Sequence, residues 1–460
     1  MATASAAPTL KRELRLRDLV FFDVCAIVSL RWAAAAAHAG PASFTLWVIA
    51  AAFFFIPSAL VIARLSQRFP EEGGMYIWTK HTLGDRQAFL CGWLYFISTV
   101  LYFPGLVLSG ISMSVYALGG FGQHLAESRA FALPATLAVL WAGFIANFFG
   151  MKVAKWISAF GGTSTFVIGA LIITLAIAVR IHSGSATNLI AAPKPNLDTL
   201  NFWSQIAFAF VGLELAPIVS AEIRNPRRDL PRAAGISGVV SVVFYIVVTA
   251  ALLTILRPQD ISPMTGLAEA GAAGAAKLAL PQTAILLSAL IGVALLGQLD
   301  TWIAGNTRLP YAIGLDNYLP AAFKRLHPRY GTPYVSLIVQ AVAATAFLLM
   351  AQLGETVRAA YQIMVDMTLI VTFIPFLYIF GAGYRFASRI CAISGLAVTG
   401  IAIVLSAIPP PEIASPGLFE VKILGGIALF VLLGLVVFRR YERSRAPVAS
   451  AVHAATEPRA

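Results

Sequence analysis

Residues 207–233 read AFAFVGLELAPIVSAEIRNPRRDLPRA, and the first part of this stretch is an apolar run that carries Glu214 between Gly212 and Pro217. A charge at mid-bilayer costs roughly 2.5 to 3.5 kcal/mol on insertion scales, so residues of this kind face a cavity and mark the path of a solute or a proton. Gly212 loosens the backbone, and Pro217 lacks a donor and frees a carbonyl near Leu213. Irregular backbone at membrane depth is tolerated only where it lines a cavity or is buried in protein. The stretch therefore predicts an interrupted transmembrane helix that is a working part of the molecule.

The apolar pattern recurs from end to end. Of 460 residues 59% are hydrophobic and 12% charged, outside the range of a water-soluble domain. Apolar runs of about 20 residues, the length that crosses the hydrocarbon core, predict about twelve spans. They fall at 19–39, 43–65, 87–116, 130–149, 156–180, 200–222, 233–256, 281–306, 334–353, 359–383, 389–408 and 417–438. The net charge of +12 does not indicate a nucleic-acid partner, because its distribution follows the membrane. With residues near span ends counted to the nearer side, 25 of the 33 Lys and Arg lie on one side and seven on the other, and Arg31 alone is left inside a span. The basic side is the cytoplasmic one, which predicts cytoplasmic termini and a place in the cell membrane. The first run follows the basic segment 11–17 but has no small-residue cleavage site, so it reads as a span and not as a signal peptide. Cys25, Cys91 and Cys391 sit in apolar spans as packing residues, without metal or disulfide spacing.

No hydrophilic block is long enough for a soluble domain. The chain reads as one all-α transmembrane domain over 19–440, with tails at 1–18 and 441–460 and disorder expected over 446–460. Spans 1 to 5 (19–180) and 6 to 10 (200–383) form two halves, and 389–438 adds two helices. Each half opens on a charged residue in an apolar helix: Arg31 in Ser29-Leu30-Arg31-Trp32, and Glu214 in Val211-Gly212-Leu213-Glu214. Inverted repeats opened by interrupted helices are a common transporter plan. The break is expected more strongly in span 6, since Ala33 to Ala37 in span 1 is a good helix former. In the next connection Pro226 ends span 6 and Asp229 caps span 7, while 69–76 is a turn-rich entry to span 3.

Three long stretches carry a resemblance. FPEEGGMYIWTKHTLGDRQAFLCGWLYFIS (69–98), FAFVGLELAPIVSAEIRNPRRDLPRA (208–233) and GNTRLPYAIGLDNYLPAAFKRLHPRYGTP (305–333), in this order on a twelve-span scaffold, are similar to the amino acid-polyamine-organocation transporters. The resemblance implies a LeuT-like fold, a 5+5 inverted repeat plus two C-terminal helices. It also implies a substrate held mid-membrane between broken helices 1 and 6, beside helices 3 and 8. It matches Phe208 to an aromatic lid, Gly212 and Glu214 to the glycine and acid of helix 6, Tyr95 to a tyrosine of helix 3 and Asp300 to a pocket position of helix 8. Two departures stand out. Ser29-Leu30-Arg31-Trp32 occupies the place of a glycine-serine-glycine cluster, and the helix 5 stretch Gly161 to Thr165 lacks the lysine that many members carry. Its hydroxyls leave a sodium site as the alternative to proton coupling through that lysine.

The substrate-contact candidates are therefore Ser29, Leu30, Arg31, Tyr95, Phe208, Val211, Gly212 and Asp300, with Glu214 and Asp366 for coupling or gating. Arg31 suits a substrate carboxylate through its bidentate fork, or else pairs with Glu214. Asp300 is expected to face the cavity and favour an amino group; Asp23 is a weaker pathway candidate and His38 a solvated loop residue. The function expected is a secondary transporter, a permease or antiporter, for amino acids or related amines by alternating access. A polyamine-specific carrier and a non-transporting sensor are the alternatives. No Gly-x-x-x-x-Gly-Lys-Ser/Thr run supports ATP drive, and no cluster of nucleophile and base supports an enzyme. No cofactor is expected beyond a coupling proton or sodium ion. The partners are a small-molecule substrate and the bilayer, for a monomer or a homodimer.

Overall fold

The computed structural model describes residues 12–71, 73–190, 197–352, 356–408 and 416–456. Glu72 of the entry to span 3 and the outer ends of both tails lie outside them. Span 1 is two helices, α1 Leu16–Ile27 and α2 Leu30–His38. Span 2 is α3 Ala42–Ala50, a π turn Ala51–Phe55 and α4 Ile56–Arg68. A short α5, Met75–Leu83, precedes span 3, α6 Asp85–Ser114. After α7 Gly120–Glu127 come spans 4 and 5, α8 Arg129–Phe148 and α9 Met151–Ser183. Span 6 is α10 Leu197–Phe208 and α11 Leu215–Ile218, followed by span 7, α12 Pro226–Ile255, and the connecting α13 Gly266–Lys277. Span 8 is α14 Pro281–Asn306 and α15 Arg308–Leu315. Spans 9 to 12 are α16 Tyr334–Ala351, α17 Val357–Phe386, α18 Arg389–Ser406 and α19 Pro416–Thr456.

Among the described residues eleven helices are long and apolar enough to cross a membrane. The run expected as the sixth is not one of them, because residues 209–214 separate α10 from α11. Both expected interruptions are present, and the one in span 1 lies at Val28 and Ser29, ahead of Arg31 and not on it. Two details depart from the sequence reading. Asp229 lies in the first turn of α12, which starts at Pro226, instead of capping it. Helix α19 runs on to Thr456, through most of the tail whose composition suggests disorder.

Burial orders the helices. The apolar window of α6 is 100% buried and that of the interrupted first helix 89%, whereas α8, α16 and α18 reach 33% and α19 only 17%. Interrupted helix 1 and α6 thus form the centre, and α8, α16, α18 and α19 form the rim, where α18 presents residues such as Ile390 and Val404 outward. Helices α9 and α14 touch backbone to backbone: a methyl group on Gly161 would lie 2.4 Å from the Gly297 Cα. Small residues at such crossings allow the close approach on which membrane helices depend.

Candidate functional site

Ending α1 at Ile27 leaves its last carbonyls without intrahelical partners, a cost of about 1–3 kcal/mol for each one buried unpaired. Three side chains from other helices take them up. Trp302 Nε1 of α14 donates to Ala26 O at 3.0 Å, the Tyr245 hydroxyl of α12 to Ile27 O at 2.7 Å, and Gln298 Nε2 of α14 to Val28 O at 3.3 Å. The same Tyr245 oxygen accepts from Ser29 N at 3.0 Å and lies 3.1 Å from Ala209 O, so one phenol spans both interruptions. The break in helix 1 is thus held open by donors that its own sequence does not contain.

Arg31 follows within the first turn of α2. It is 2% exposed, its Nε and Nη1 have no hydrogen-bond partner, and no carboxylate of the described residues lies within 4.0 Å. Aromatic faces surround the charge instead: its guanidinium carbon is 4.3 Å from the Trp32 ring centroid, 4.7 Å from Tyr102 and 6.0 Å from Tyr361. Cation–π contacts soften the cost of burial but leave Nε and Nη1 without a hydrogen-bond acceptor. Beside it lies a cavity of about 20 Å³, in which Ser29, Arg31, Ser109, Thr165 and Gln298 are the polar lining, Leu30 is among the apolar lining, and no acidic residue takes part. That volume suits one water molecule, so a larger solute requires these helices to part. Phe208 packs edge-on to Trp32 at 5.4 Å and lies 5.9 Å from Phe373, an aromatic wall next to Arg31.

The interruption in helix 6 is built differently. Gly212 has φ +140°, and a Cβ there would lie 2.9 Å from Ala26 C, so the two breaks abut where only glycine fits. Glu214 closes its own loop, with Oε2 accepting from Gly212 N at 2.9 Å and Oε1 from the Tyr95 hydroxyl at 2.7 Å. It is 1% exposed and makes no ion pair among the described residues, Arg31 included. Tyr95, Gly212 and Glu214 are therefore brought together, with Val211 in the same turn, but none of the four is among the residues lining the cavity at Arg31.

Asp300 departs from expectation. Its carboxylate turns from the cavity toward α8 and α9, accepting from Asn147 Nδ2 at 2.7 Å and Ser158 Oγ at 3.4 Å. Asp300 lies two residues from both Gln298 and Trp302, about 200° round the helix from each, so it points away from the side that holds helix 1. Asp366 accepts twice from Gln362 of its own helix, both at 3.1 Å, and Asp23 accepts from Ser237 at 3.2 Å. His38 is half-buried and bonded to Ile261 O. In the helix 5 stretch the Thr163 and Thr165 hydroxyls donate to Ala159 O and Gly161 O of their own helix.

The two sides of the molecule contrast. On the side of the N terminus the three stretches that carry the family resemblance meet in a network of ion pairs and hydrogen bonds. Arg308 pairs with Glu222 at 2.7 Å, with both side chains at most 5% exposed, and Tyr76 and Lys80 bond Asp316 at 2.5 and 2.6 Å. Burial and then the neighbouring Asp316 push the Tyr76 phenol's ionisation up, so it remains a donor. Leu14 pairs with Ile223, and Gly73 N reaches Ile218 O. On the other side a cavity of about 500 Å³ is lined by His38, Asp260, Glu269, Arg358, Tyr361 and Gln362 among others. Tyr361 belongs to that wall and to the cage around Arg31, and so stands between the two.

Tyr245, Trp302, Gln298, Tyr102 and Tyr361 escaped the sequence reading, because polar-tipped residues in apolar spans read as packing. Arg308 and Glu222 carried a signal: both are charges in the quoted stretches at span ends.

Comparison with known proteins places these features. A family model described as amino acid permease matches residues 14–437. An uncharacterised transporter of Legionella pneumophila is 26% identical, covering 94% of this chain and 98% of its own length. A branched-chain amino acid permease of Bacillus subtilis is 24% identical over 73% of this chain and 74% of its own. A probable agmatine/putrescine antiporter of Lactococcus lactis is 19% identical over 94% and 95%.

Proposed function

The chain belongs to the amino acid permease family, multi-pass transporters of amino acids or amines with the LeuT-like fold, and on that footing we propose that it carries a solute bearing a carboxylate, held by Arg31. The observation that supports this is the buried guanidinium with two unused donors beside a cavity without a single acidic lining residue. A carboxylate supplies both the charge and the bidentate acceptors. The first-turn amides of α2 add a helix N-terminus of the same preference. The carbonyl end of α10, adjoining the same break, suits an α-ammonium group, with Phe208 as the lid. An agmatine- or putrescine-like dication finds no carboxylate at this cavity, which favours the amino acid over the polyamine alternative.

Alternating access then follows from the contrast of the two sides. The large cavity above Tyr361 is the entry, and the Arg308–Glu222 and Asp316 networks are the barrier that must open for release. Glu214, tying the helix 6 loop to Tyr95 on α6, is the coupling or gating group, with a proton as its natural ligand. Twelve crossings, counting the interrupted sixth, put both termini on one side, and the basic residues make that side the cytoplasm.

The test is competition against labelled amino acid uptake into proteoliposomes. Amino acids are expected to compete, while their amides and putrescine compete poorly. Equal competition by the amines would remove Arg31 from carboxylate binding.

A further inference from the structure

The strongest unassigned feature lies away from this path, on the N-terminal side of the molecule. A cavity of about 350 Å³ opens where the start of α1 meets the second turn of α9 and the segment after α11. Four cations line it, Arg15, Arg17, Lys155 and Arg224, against two carboxylates, Glu13 and Asp18. The carboxylates are partly spoken for. Asp18 accepts from the backbone N–H of Arg15 at 3.0 Å, and Glu13 lies 3.8 Å from Lys155. The guanidinium groups of Arg15, Arg17 and Arg224 have no carboxylate within 4.0 Å among the described residues.

The other wall is apolar. Trp156 and Phe160, one helical turn apart on α9, are 57% and 66% exposed, and both line the cavity. Helix α9 is a membrane span, and these are the first turns at its end, where a tryptophan marks the headgroup level. A water-soluble anion gains nothing from two exposed aromatic side chains. A lipid gains from both walls, with its phosphate among the arginines and its chains along Trp156 and Phe160.

We propose that this cavity binds the headgroup of an anionic phospholipid of the leaflet on the N-terminal side. The position gives such a lipid a consequence. Leu14, just before Arg15, pairs with Ile223, just before Arg224, so the two sides of this pairing feed the same cavity. A phosphate shared by Arg15, Arg17 and Arg224 would staple the N-terminal strap to the segment that leaves interrupted helix 6, and so favour closure on this side. The inference stands apart from the identity of the transported solute.

The experiment is native mass spectrometry of the full chain in detergent with added phosphatidylglycerol or phosphatidylcholine. Wild type is expected to retain phosphatidylglycerol several-fold better, and Arg15→Gln combined with Arg17→Gln and Arg224→Gln to lose that preference while eluting as wild type on size exclusion. Equal retention of both lipids by wild type, or an unchanged preference in the variant, overturns the site. Displacement of the bound lipid by glycerol phosphate alone makes it a soluble-phosphate site and overturns the lipid assignment. A second readout does not depend on folding of the triple variant. Brominated phosphatidylglycerol should quench the fluorescence that is lost in Trp156→Phe more than brominated phosphatidylcholine does, and equal quenching counts against the proposal.

Discussion

The two interrupted helices solve one problem in opposite ways. In helix 1 the freed carbonyls of Ala26, Ile27 and Val28 are met by Trp302, Tyr245 and Gln298 from outside, and the charge beside the break, Arg31, is left with donors to spare. In helix 6 the loop is closed by its own Glu214 through Gly212 N, and Tyr95 and Tyr245 reach it from other helices. The first break is a fixed scaffold that presents an unused cation. The second is a self-contained loop able to shift as a unit, since few of its bonds are anchored in neighbouring helices. On the function proposed, binding is assigned to the first and movement to the second.

The sharpest way to break this comparison is at Arg31. Arg31→Gln keeps length and polarity but removes the charge and the fork, and truncation of a buried charge contact costs on the order of 3 kcal/mol, about 100-fold in binding. Uptake should fall by that factor with normal elution on size exclusion, and Arg31→Lys should recover only part of it, because a point charge does not reproduce bidentate geometry. Wild-type affinity in Arg31→Gln would assign the residue to structure alone.

Gly212→Ala comes next. The left-handed φ of +140° and the 2.9 Å approach to Ala26 C leave no place for a methyl group. Strain of this kind costs about 1–3 kcal/mol. A Tm lowered by several degrees and a reduced rate of transport are expected, whereas Ser29→Ala at the facing break should be nearly silent, because Ser29 contributes its backbone N–H there. Tyr245→Phe tests the bridge between them. It strips partners from Ile27 O and Ser29 N, a loss of about 1–3 kcal/mol for a buried group left unpaired, read as a lower Tm in detergent. An unchanged Tm would mean that the two breaks are independent.

How much of this was legible follows from the physics of each residue. The spans, the two interruptions and the burial of Arg31 and Glu214 beside them were readable, because an apolar run has a length and a charge inside it lies at membrane depth. The facing of Asp300 was not: on a helix buried on several sides, two residues, about 200° of turn, separate Gln298 on the wall of the cavity from Asp300 in contact with Asn147, and hydropathy does not record it. Tyr245 and Trp302 were hidden for a related reason. Their apolar bodies satisfy the membrane pattern, and only the fold shows where their polar tips go. The strand pairing of Leu14 with Ile223 joins segments too distant in sequence for any local pattern to disclose.

Glu214→Gln has the smallest expected effect on maximal rate and distinguishes loop closure from proton handling. The amide retains an oxygen for the Tyr95 hydroxyl, but its nitrogen cannot accept from Gly212 N, so a loss of about 1 kcal/mol in stability is expected from geometry alone. If the carboxylate also carries the coupling proton, the neutral isostere removes the titrating group and the pH dependence of uptake flattens. Asp300→Asn is the matched control, a buried carboxylate bonded to Asn147 and Ser158 and turned from the cavity. Its pH profile and its ranking of substrates should stay those of wild type. A steep profile retained in Glu214→Gln but lost in Asp300→Asn would transfer the coupling from the loop of helix 6 to the contact between α8, α9 and α14, and with it the division of labour between the two breaks would fall.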